Sequence, residues 1–293
     1  MSTPEELEAR VRRIDLEVAQ VSPDSPMNSP LEMLRAYNYD PSHDLWTSAR
    51  SKIRNILRRF PNQPLEEIEF DLHDLWDTII RTAFITNPND PGQDRLVAEV
   101  VLARELGSLG PNATTADGEV LSGLPFLVGD ITAACLGKLK LLEQEERRNL
   151  AAFVARLVAV GVRAPELGSC ALFMLRETLE TPFTAKDEEN RIAKRLPAVV
   201  AWFNFAGHRL AVFSGGNGHK PLSGEEGTLT TVGKLAREAG ILEPGFSTKR
   251  WHFWRQRLEA LNSYAYGRMI REPALRGKNC MDVWSEYVGL VVE

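Results

Sequence analysis

Cysteine is scarce in this sequence, and its three copies, Cys135, Cys170 and Cys280, lie far apart in apolar surroundings. An odd number of cysteines without Cys-x-x-Cys spacing argues against a disulfide framework and against a structural zinc site. A free cysteine packs as a small hydrophobic residue. We therefore expect free thiols in a reducing compartment.

Several signals of location and partner are also missing. No apolar run is long enough to cross a bilayer, and the opening residues, MSTPEELEARVRR, lack the apolar core of a secretory signal. The formal net charge is −5 and the basic residues are dispersed, so no general attraction to nucleic acid or to an anionic membrane is expected. The sequence predicts a cytoplasmic protein that binds neither.

The common cofactor and nucleophile motifs are absent as well. The sequence has no P-loop, no Gly-x-Gly-x-x-Gly with a βαβ unit, no His-Glu-x-x-His and no Gly-x-Ser-x-Gly. The glycine-rich stretch at 215–220 has the wrong spacing for a phosphate cradle and is expected to be a linker. Glu69, His73 and Asp77 recur every four residues, whereas a dinuclear bundle site needs Glu-x-x-His on two helices. We therefore predict no metal and no cofactor.

Helix signals, in contrast, recur along the whole chain. Its 293 residues, of which 43% are hydrophobic and 26% charged, can bury a large core. Capping residues and prolines stand at each break, and apolar residues follow a helical period. One helix is predicted over 65–86 with an apolar stripe of Leu65, Ile68, Leu72, Trp76, Ile79 and Ala83, and another over 228–239, and Pro273 is expected to separate the last two helices. The sequence predicts an all-α protein, an irregular multi-helix bundle. Residues 1–43 predict an N-terminal helical arm, and residues 44–293 predict a single all-helical domain.

The most apolar predicted helix spans about 197–214. Pro197 is expected at its first position, where proline is favoured. Its side chains are apolar almost all the way round, which is typical of a helix inside a bundle. Asn204 and His208 form its uncharged polar strip, with Arg209 beside them. We expect the bundle to be built around this one central, buried helix.

Five stretches carry recognisable patterns in a fixed order along the chain. They are N-P-x-D-P-x-Q-D-R-L-V at 87–97, N-x-x-A-F-x-A-R-L at 149–157, L-x-x-L-R-x-x-L-E at 172–180, W with A-G-H-R-L within 202–210, and W-x-F-W-x-x-R-L at 251–258. Together they resemble a family of filamentous-fungal proteins known only as domain of unknown function 3632. The resemblance covers roughly Trp76 to Met269 and leaves the arm outside. It implies a fungal, intracellular, mostly helical protein, and it brings no accepted reaction.

His208 is the first candidate for catalysis. An imidazole gives or takes a proton near neutral pH, and Asn204 or Arg209 nearby would orient the ring or a substrate anion. The alternative is a core histidine that is hydrogen-bonded to a backbone carbonyl or to an acid from another helix.

Arg176 and Glu180 lie on the narrow polar edge of a predicted helix that is otherwise apolar. In one interpretation they belong to a satisfied internal ion pair that joins helices. In the other, Arg176 clamps a carboxylate or enolate and Glu180 orients His208. The residue pattern is compatible with both.

Tryptophan supplies the remaining candidates. Trp251 and Trp254 concentrate aromatic area at a predicted helix start, and Trp202 lies on the most apolar helix. Such rings either pack between helices or wall an apolar pocket. With Asn204 and Arg209, the three tryptophans are the predicted substrate-binding residues.

Two functions follow from these candidates. The first is an enzyme without cofactor that performs a cyclisation, isomerisation or dehydration of a small, apolar, natural-product-like substrate by acid–base catalysis, an assignment by analogy. Its predicted catalytic residues are His208, Arg176 and Glu180. The alternative is a non-catalytic helical protein that binds a ligand, another protein or a second copy of itself. Convergence of the three residues on a cavity would favour the enzyme, and a dry, pairwise-satisfied arrangement would favour the alternative.

Overall fold

Helices make up the regular secondary structure of the described chain. The computed structural model describes Ser51, Ile56 and residues 65–107, 121–137, 143–182, 188–216, 227–263 and 265–290. No strand occurs within these ranges, and the all-α prediction is confirmed. The predicted arm at 1–43 lies outside the described residues.

The helices are numbered in chain order. They are α1 (Leu65–Ile85), α2 (Pro91–Gly107), α3 (Leu127–Gly137), α4 (Gln144–Ala159), α5 (Ala164–Leu175), α6 (Glu188–Ser214), α7 (Gly227–Thr230), α8 (Lys234–Glu238), α9 (Thr248–Leu261) and α10 (Arg268–Val288). A 3-10 turn, Leu121–Gly123, precedes α3, and a π-helical turn, Arg176–Glu180, extends α5. The chain divides into two units, Met1–Phe153 and Val154–Glu293.

The first unit buries the apolar stripe that the sequence predicts for α1. Its members are each at most 2% exposed: Ile68, Leu72, Trp76, Ile79 and Ala83. At the end of α1, Gln93 Nε2 donates to the carbonyl oxygen of Thr86 at 2.7 Å, and Asn149 Nδ2 donates to that of Phe84 at 2.7 Å. Side-chain amides therefore satisfy carbonyl groups that a helix end leaves without an intrahelical partner.

In the second unit, α10 packs along α6 and also contacts α9. A Cβ atom at Gly207 of α6 would lie only 2.5 Å from Nε1 of Trp284 on α10. The missing side chain at this position therefore lets the two helices approach closely. Gly289 ends α10 with a φ of 75°, a left-handed conformation that glycine adopts without strain.

The start of α6 differs from the prediction. The helix begins at Glu188, so Pro197 lies inside it rather than at its first position. Proline inside a helix removes one hydrogen bond and crowds the preceding turn. Ile192 and Leu196, both fully buried, extend the apolar stripe upstream of the proline, and their burial favours a continuous helix. Pro273 likewise lies inside α10, although the sequence predicts a helix break there.

The two sides of α6 differ in burial. The buried side carries Val199, Trp202, Phe203, Ala206 and Leu210. The other side carries Asn204 and Val212, which are exposed, and His208, which is half-buried. Contrary to the expectation from the sequence, α6 is long and apolar enough to cross a membrane by length and composition, but 67% of its apolar stretch is buried inside the protein. This burial is typical of a core helix of a globular protein.

The predicted helix at 228–239 is interrupted. Two short helices, α7 and α8, replace it, and residues 231–233 between them are not helical. There the carbonyl oxygen of Thr231 accepts a hydrogen bond from Arg250 at 2.8 Å, and the N–H of Gly233 donates to Glu180 at 2.6 Å. A buried charged pair therefore uses backbone groups that a continuous helix would have paired internally.

Candidate functional site

Glu180 ends the π-helical turn and is completely buried. Its Oε1 accepts hydrogen bonds from Arg250 Nε at 2.7 Å and Trp254 Nε1 at 2.7 Å. Its Oε2 accepts from the Gly233 N–H at 2.6 Å and Arg250 Nη2 at 3.1 Å. Four donors thus satisfy the carboxylate within the protein. We call Glu180, Arg250, Trp254 and Gly233 the interior network.

Arg250 is also completely buried. Besides its two bonds to Glu180, its Nη1 donates to the carbonyl oxygens of Thr230 at 3.0 Å and Gly245 at 2.8 Å. Its Nη2 donates to that of Thr231 at 2.8 Å. These contacts occupy all five N–H donors of the guanidinium. A buried ion pair with this degree of hydrogen bonding compensates for the desolvation of its charges.

The arrangement of Glu180 fits the ion-pair interpretation, with Arg250 of α9 as its partner. No hydrogen bond within the described part of the chain joins Glu180 to His208. The predicted role of Glu180 in orienting that histidine stays a prediction.

Arg176, at the start of the same π-helical turn, lies at the edge of the interior network. Its Nε is 3.4 Å from Glu177 Oε1, and its Nη1 donates to the hydroxyl of Thr231. Its guanidinium carbon lies 5.2 Å from the centre of the Phe173 ring. These contacts attach the Arg176 side chain to its own helix and to the segment between α7 and α8.

The three predicted tryptophans are all fully buried. Their indole N–H groups have separate acceptors: Met174 Sδ for Trp202 at 3.2 Å, Ser285 Oγ for Trp251 at 2.8 Å, and Glu180 Oε1 for Trp254 at 2.7 Å. A buried indole with a satisfied N–H is typical of helix packing. None of the three lines the groove described below.

His208 lies on the less buried side of α6. Its ring centre is 5.5 Å from that of Trp284 on α10. Burial, and then the positive charge of Arg209, lower the pKa of His208 below its usual value of 6.5, while a hydrogen bond to the Ala159 carbonyl acts in the opposite direction. Because that bond uses one ring N–H, a neutral His208 has its other nitrogen as an acceptor. Arg209 Nε donates to the same carbonyl at 3.3 Å.

A groove lies between α6 and α10; its lining includes Trp284, which packs against His208, but not His208 itself. It has a volume of about 720 Å³ and is open to solvent. We call it the α6–α10 groove; it is lined by Asn204, Glu272, Leu275, Arg276, Asn279, Cys280, Val283 and Trp284. Asn204 is the predicted site residue that lies in this lining. The volume is within the range of ligand pockets in proteins.

Asn204 and Cys280 contact each other in the groove. The Cys280 thiol donates to Asn204 Oδ1 at 3.0 Å. Burial raises the pKa of Cys280, and the charge of Arg276 lowers it by a smaller amount. The thiol is therefore protonated near neutral pH, and it holds the amide oxygen of Asn204 toward itself.

The predicted site residues fall into separate places. Glu180 and Trp254 belong to the interior network, with Arg176 at its edge. Asn204 and His208 lie on the less buried side of α6, and His208 and Arg209 both hydrogen-bond to the Ala159 carbonyl. Apart from Cys280, which was noted as a free cysteine, no sequence motif pointed to the α10 residues of the groove. Their signal is the spacing of Arg276, Asn279 and Val283, which places them on one helix face. Glu272 joins that face because α10 continues through Pro273.

The acidic stretch of α1, in the first unit, is paired internally. His73 Nδ1 lies 2.9 Å from both carboxylate oxygens of Asp130, and Asp77 pairs with Arg81. The centre of the Phe126 ring is 4.6 Å from that of His73. No group of three metal-ligating side chains occurs among the residues that the structure describes.

The chain matches a known protein family over most of its length. Residues 76–258 match the family described as "Protein of unknown function (DUF3632)". The chain belongs to this family, and the resemblance found in its motifs is confirmed. The matched region contains α2 to α8 and includes every predicted site residue.

A relative from Penicillium oxalicum is named "Oxopyrrolidines biosynthesis cluster protein G". It is 28% identical over 229 residues, which cover 69% of this chain and 62% of the relative. The chain thus spans less than two thirds of that protein's length. No solved structure matches the chain. The relative's name indicates a biosynthesis cluster and gives no reaction.

Proposed function

We propose that the chain acts in the biosynthesis of a fungal natural product and binds a small, largely apolar molecule in the α6–α10 groove. The groove is the observation that carries the proposal. Trp284, Leu275 and Val283 provide apolar walls, and a few polar groups lie among them, as in many ligand sites. The biosynthetic role is supported by the name of the Penicillium relative.

The chemical step of this proposal is acid–base catalysis by His208 without a cofactor, in a cyclisation, isomerisation or dehydration. Its support is the state of the imidazole. The lowered pKa of His208 favours the neutral ring, and the bond to Ala159 leaves one nitrogen to accept a proton. Trp284, which packs against His208, also lines the groove, so one side chain separates the imidazole from a molecule bound there.

The second candidate is a ligand-binding protein that performs no reaction. A specific observation favours it: two of the three predicted catalytic residues, Glu180 and Arg176, form contacts in and around the interior network rather than in the groove. The groove is also open, whereas catalytic sites often exclude water. In this case the chain would carry or protect a pathway molecule.

Metabolite profiling of a deletion strain of the producing fungus tests the proposal. The strain is complemented with the wild-type chain, with Trp284→Ala, with His208→Gln, or with Leu242→Ala as a control. Leu242 is 72% exposed and does not line the groove. Protein amounts are matched by immunoblotting.

We expect wild type and Leu242→Ala to restore the profile that the deletion changes, and Trp284→Ala to fail. Accumulation of one precursor in both the deletion and His208→Gln strains supports the enzyme. Restoration by His208→Gln supports the ligand-binding protein instead. An unchanged profile after deletion, or full restoration by Trp284→Ala, contradicts the proposal.

A further inference from the structure

We infer that the α6–α10 groove takes an organic anion, that is, an apolar molecule with a carboxylate or an acidic enolate. This inference rests on the proposed function and specifies the chemical class of its ligand. It is carried by the polar side chains of the groove, which present hydrogen-bond donors and an uncompensated positive charge.

The charges of the groove do not cancel locally. Glu272 is ion-paired with Arg268, one helical turn away on α10, at 2.5 Å. Arg276 has no hydrogen-bonded or ion-paired partner among the residues that the structure describes. Two charged side chains line the groove. The negative charge of Glu272 is thus balanced by Arg268, and the positive charge of Arg276 is not balanced by a paired acid in the described part of the chain. A guanidinium with free N–H groups binds carboxylates in a planar, two-pronged geometry.

Asn204 adds donors of the same kind. Its amide oxygen accepts the Cys280 thiol at 3.0 Å, which leaves the two N–H groups of the amide for a ligand. Because burial raises the pKa of Cys280, the thiol remains a donor and keeps this orientation. Asn204 therefore presents N–H groups rather than a carbonyl oxygen to the groove.

The apolar part of the ligand would contact α10. Leu275 and Val283 are 43% and 60% exposed, and Trp284 is half-buried beside them. Arg276 and Asn204 are in the same lining as these three side chains. An anionic group held by the donors would thus place an attached ring or chain on an apolar surface. A cation would find only the compensated carboxylate of Glu272.

Two dyes with one skeleton test the charge preference. Anilinonaphthalene sulfonate carries an anionic group, and N-phenylnaphthylamine has the same rings without it. The fluorescence enhancement of each dye gives a Kd for the full-length protein. The variants are Arg276→Gln, Glu272→Gln, Trp284→Ala and the control Lys249→Gln. Lys249 is exposed on α9, outside the groove, and its substitution removes one positive charge as Arg276→Gln does.

We expect Arg276→Gln to raise the Kd of the sulfonate about tenfold, because one charge-assisted interaction is lost. The Kd of the neutral dye should change by less than about twofold, since the apolar walls remain. Glu272→Gln should lower the sulfonate Kd about twofold to threefold by removing a nearby negative charge. Lys249→Gln should leave both values unchanged, and Trp284→Ala should weaken both dyes.

The outcomes separate the two proposals. Equal shifts for both dyes in Arg276→Gln, or no shift, overturn the anion inference and leave the proposed function intact if Trp284→Ala still weakens both. Unchanged binding of both dyes in Trp284→Ala shows that they bind elsewhere and removes the groove from both proposals. Near-UV circular dichroism of each variant confirms that its fold is retained.

Discussion

Glu180 and Arg250 lie fully buried in the interior network, whereas Arg276 and Asn204 face the open α6–α10 groove. In the network, two carboxylate oxygens and five guanidinium N–H groups all have partners inside the protein. In the groove, Arg276 has no paired acid among the described residues. An arginine is thus fully paired inside the protein in one region and, within the described ranges, lacks a paired acid in the other.

The contrast explains which candidate residues serve stability and which are available for binding. A polar group that is satisfied internally contributes little to a ligand, because the ligand would have to displace an existing bond. A half-exposed donor without a partner loses only water when a ligand arrives. A ligand therefore cannot reach Glu180 without breaking hydrogen bonds inside the protein, whereas it can reach Asn204 by displacing water.

The largest effect is expected at the centre of the interior network. Glu180→Gln removes the charge that compensates Arg250 and should lower the free energy of unfolding by about 3–5 kcal/mol. Chemical denaturation followed by tryptophan fluorescence measures it. The matched control is Glu177→Gln on the same turn, whose carboxylate is 36% exposed and 3.6 Å from Arg195. Its cost should be at most about 1 kcal/mol, and equal losses in the two variants would contradict the comparison.

Two glycines test close packing in the two regions. A Cβ at Gly233 would lie 2.5 Å from Glu180 Cβ and 2.9 Å from its carbonyl oxygen, so Gly233→Ala should cost about 1–3 kcal/mol of stability. Gly207→Ala should instead displace the half-buried Trp284 ring and weaken binding of both dyes. Denaturation and dye titration of both variants check this, and dye binding unaffected by Gly207→Ala would show that the groove does not depend on Trp284.

The buried tryptophans give a graded series. Trp254→Phe removes a donor to a carboxylate and should cost about 1.5–3 kcal/mol. Trp202→Phe removes only a donor to a thioether, a weak acceptor. The loss in free energy of unfolding should therefore be smaller by about 1 kcal/mol than the loss in Trp254→Phe. Denaturation midpoints and slopes of the two variants measure the difference, and the reverse order would argue against the interior network.

The smallest effect concerns pH. The folded protein holds the pKa of His208 below 6.5. As the pH falls, the His208 ring is therefore protonated in the unfolded chain before it is protonated in the native protein. The free energy of unfolding should thus fall as pH drops below about 6.5. His252, whose pKa burial and Arg255 also lower, adds to this fall. In His208→Gln the slope should be shallower, and an unchanged slope would show that His208 titrates normally.

The sequence predicted those features that depend on neighbouring residues along the chain. The stripe of α1 is an example, since each apolar position follows from helical spacing. Glu180 and Arg250 are 70 positions apart, and neither residue carries a local signal that it pairs with the other. The predicted helix start at Pro197 was wrong for a similar reason. The helix continues through Pro197 because Ile192 and Leu196 are buried in the folded protein, and the local sequence does not show this burial.

Local sequence patterns could not predict the groove either. His208, Asn204 and Arg209 were predicted from the polar strip of one helix, and the structure places that strip toward the less buried side of α6. The facing residues, Arg276, Cys280 and Trp284, belong to α10; Cys280, for example, is 76 positions further along the chain than Asn204. Only the packing of two helices brings them into one lining.

One pair of variants tests the central contrast most directly: Glu180→Gln and Arg276→Gln, each measured for its free energy of unfolding and, where folded, for its affinity for anilinonaphthalene sulfonate. We predict that Glu180→Gln loses about 3–5 kcal/mol of stability. Arg276→Gln should stay within about 0.5 kcal/mol of wild type and bind the sulfonate about tenfold more weakly. Wild-type stability in Glu180→Gln, or a comparable loss of stability in Arg276→Gln, would contradict the division between an interior network and a binding groove.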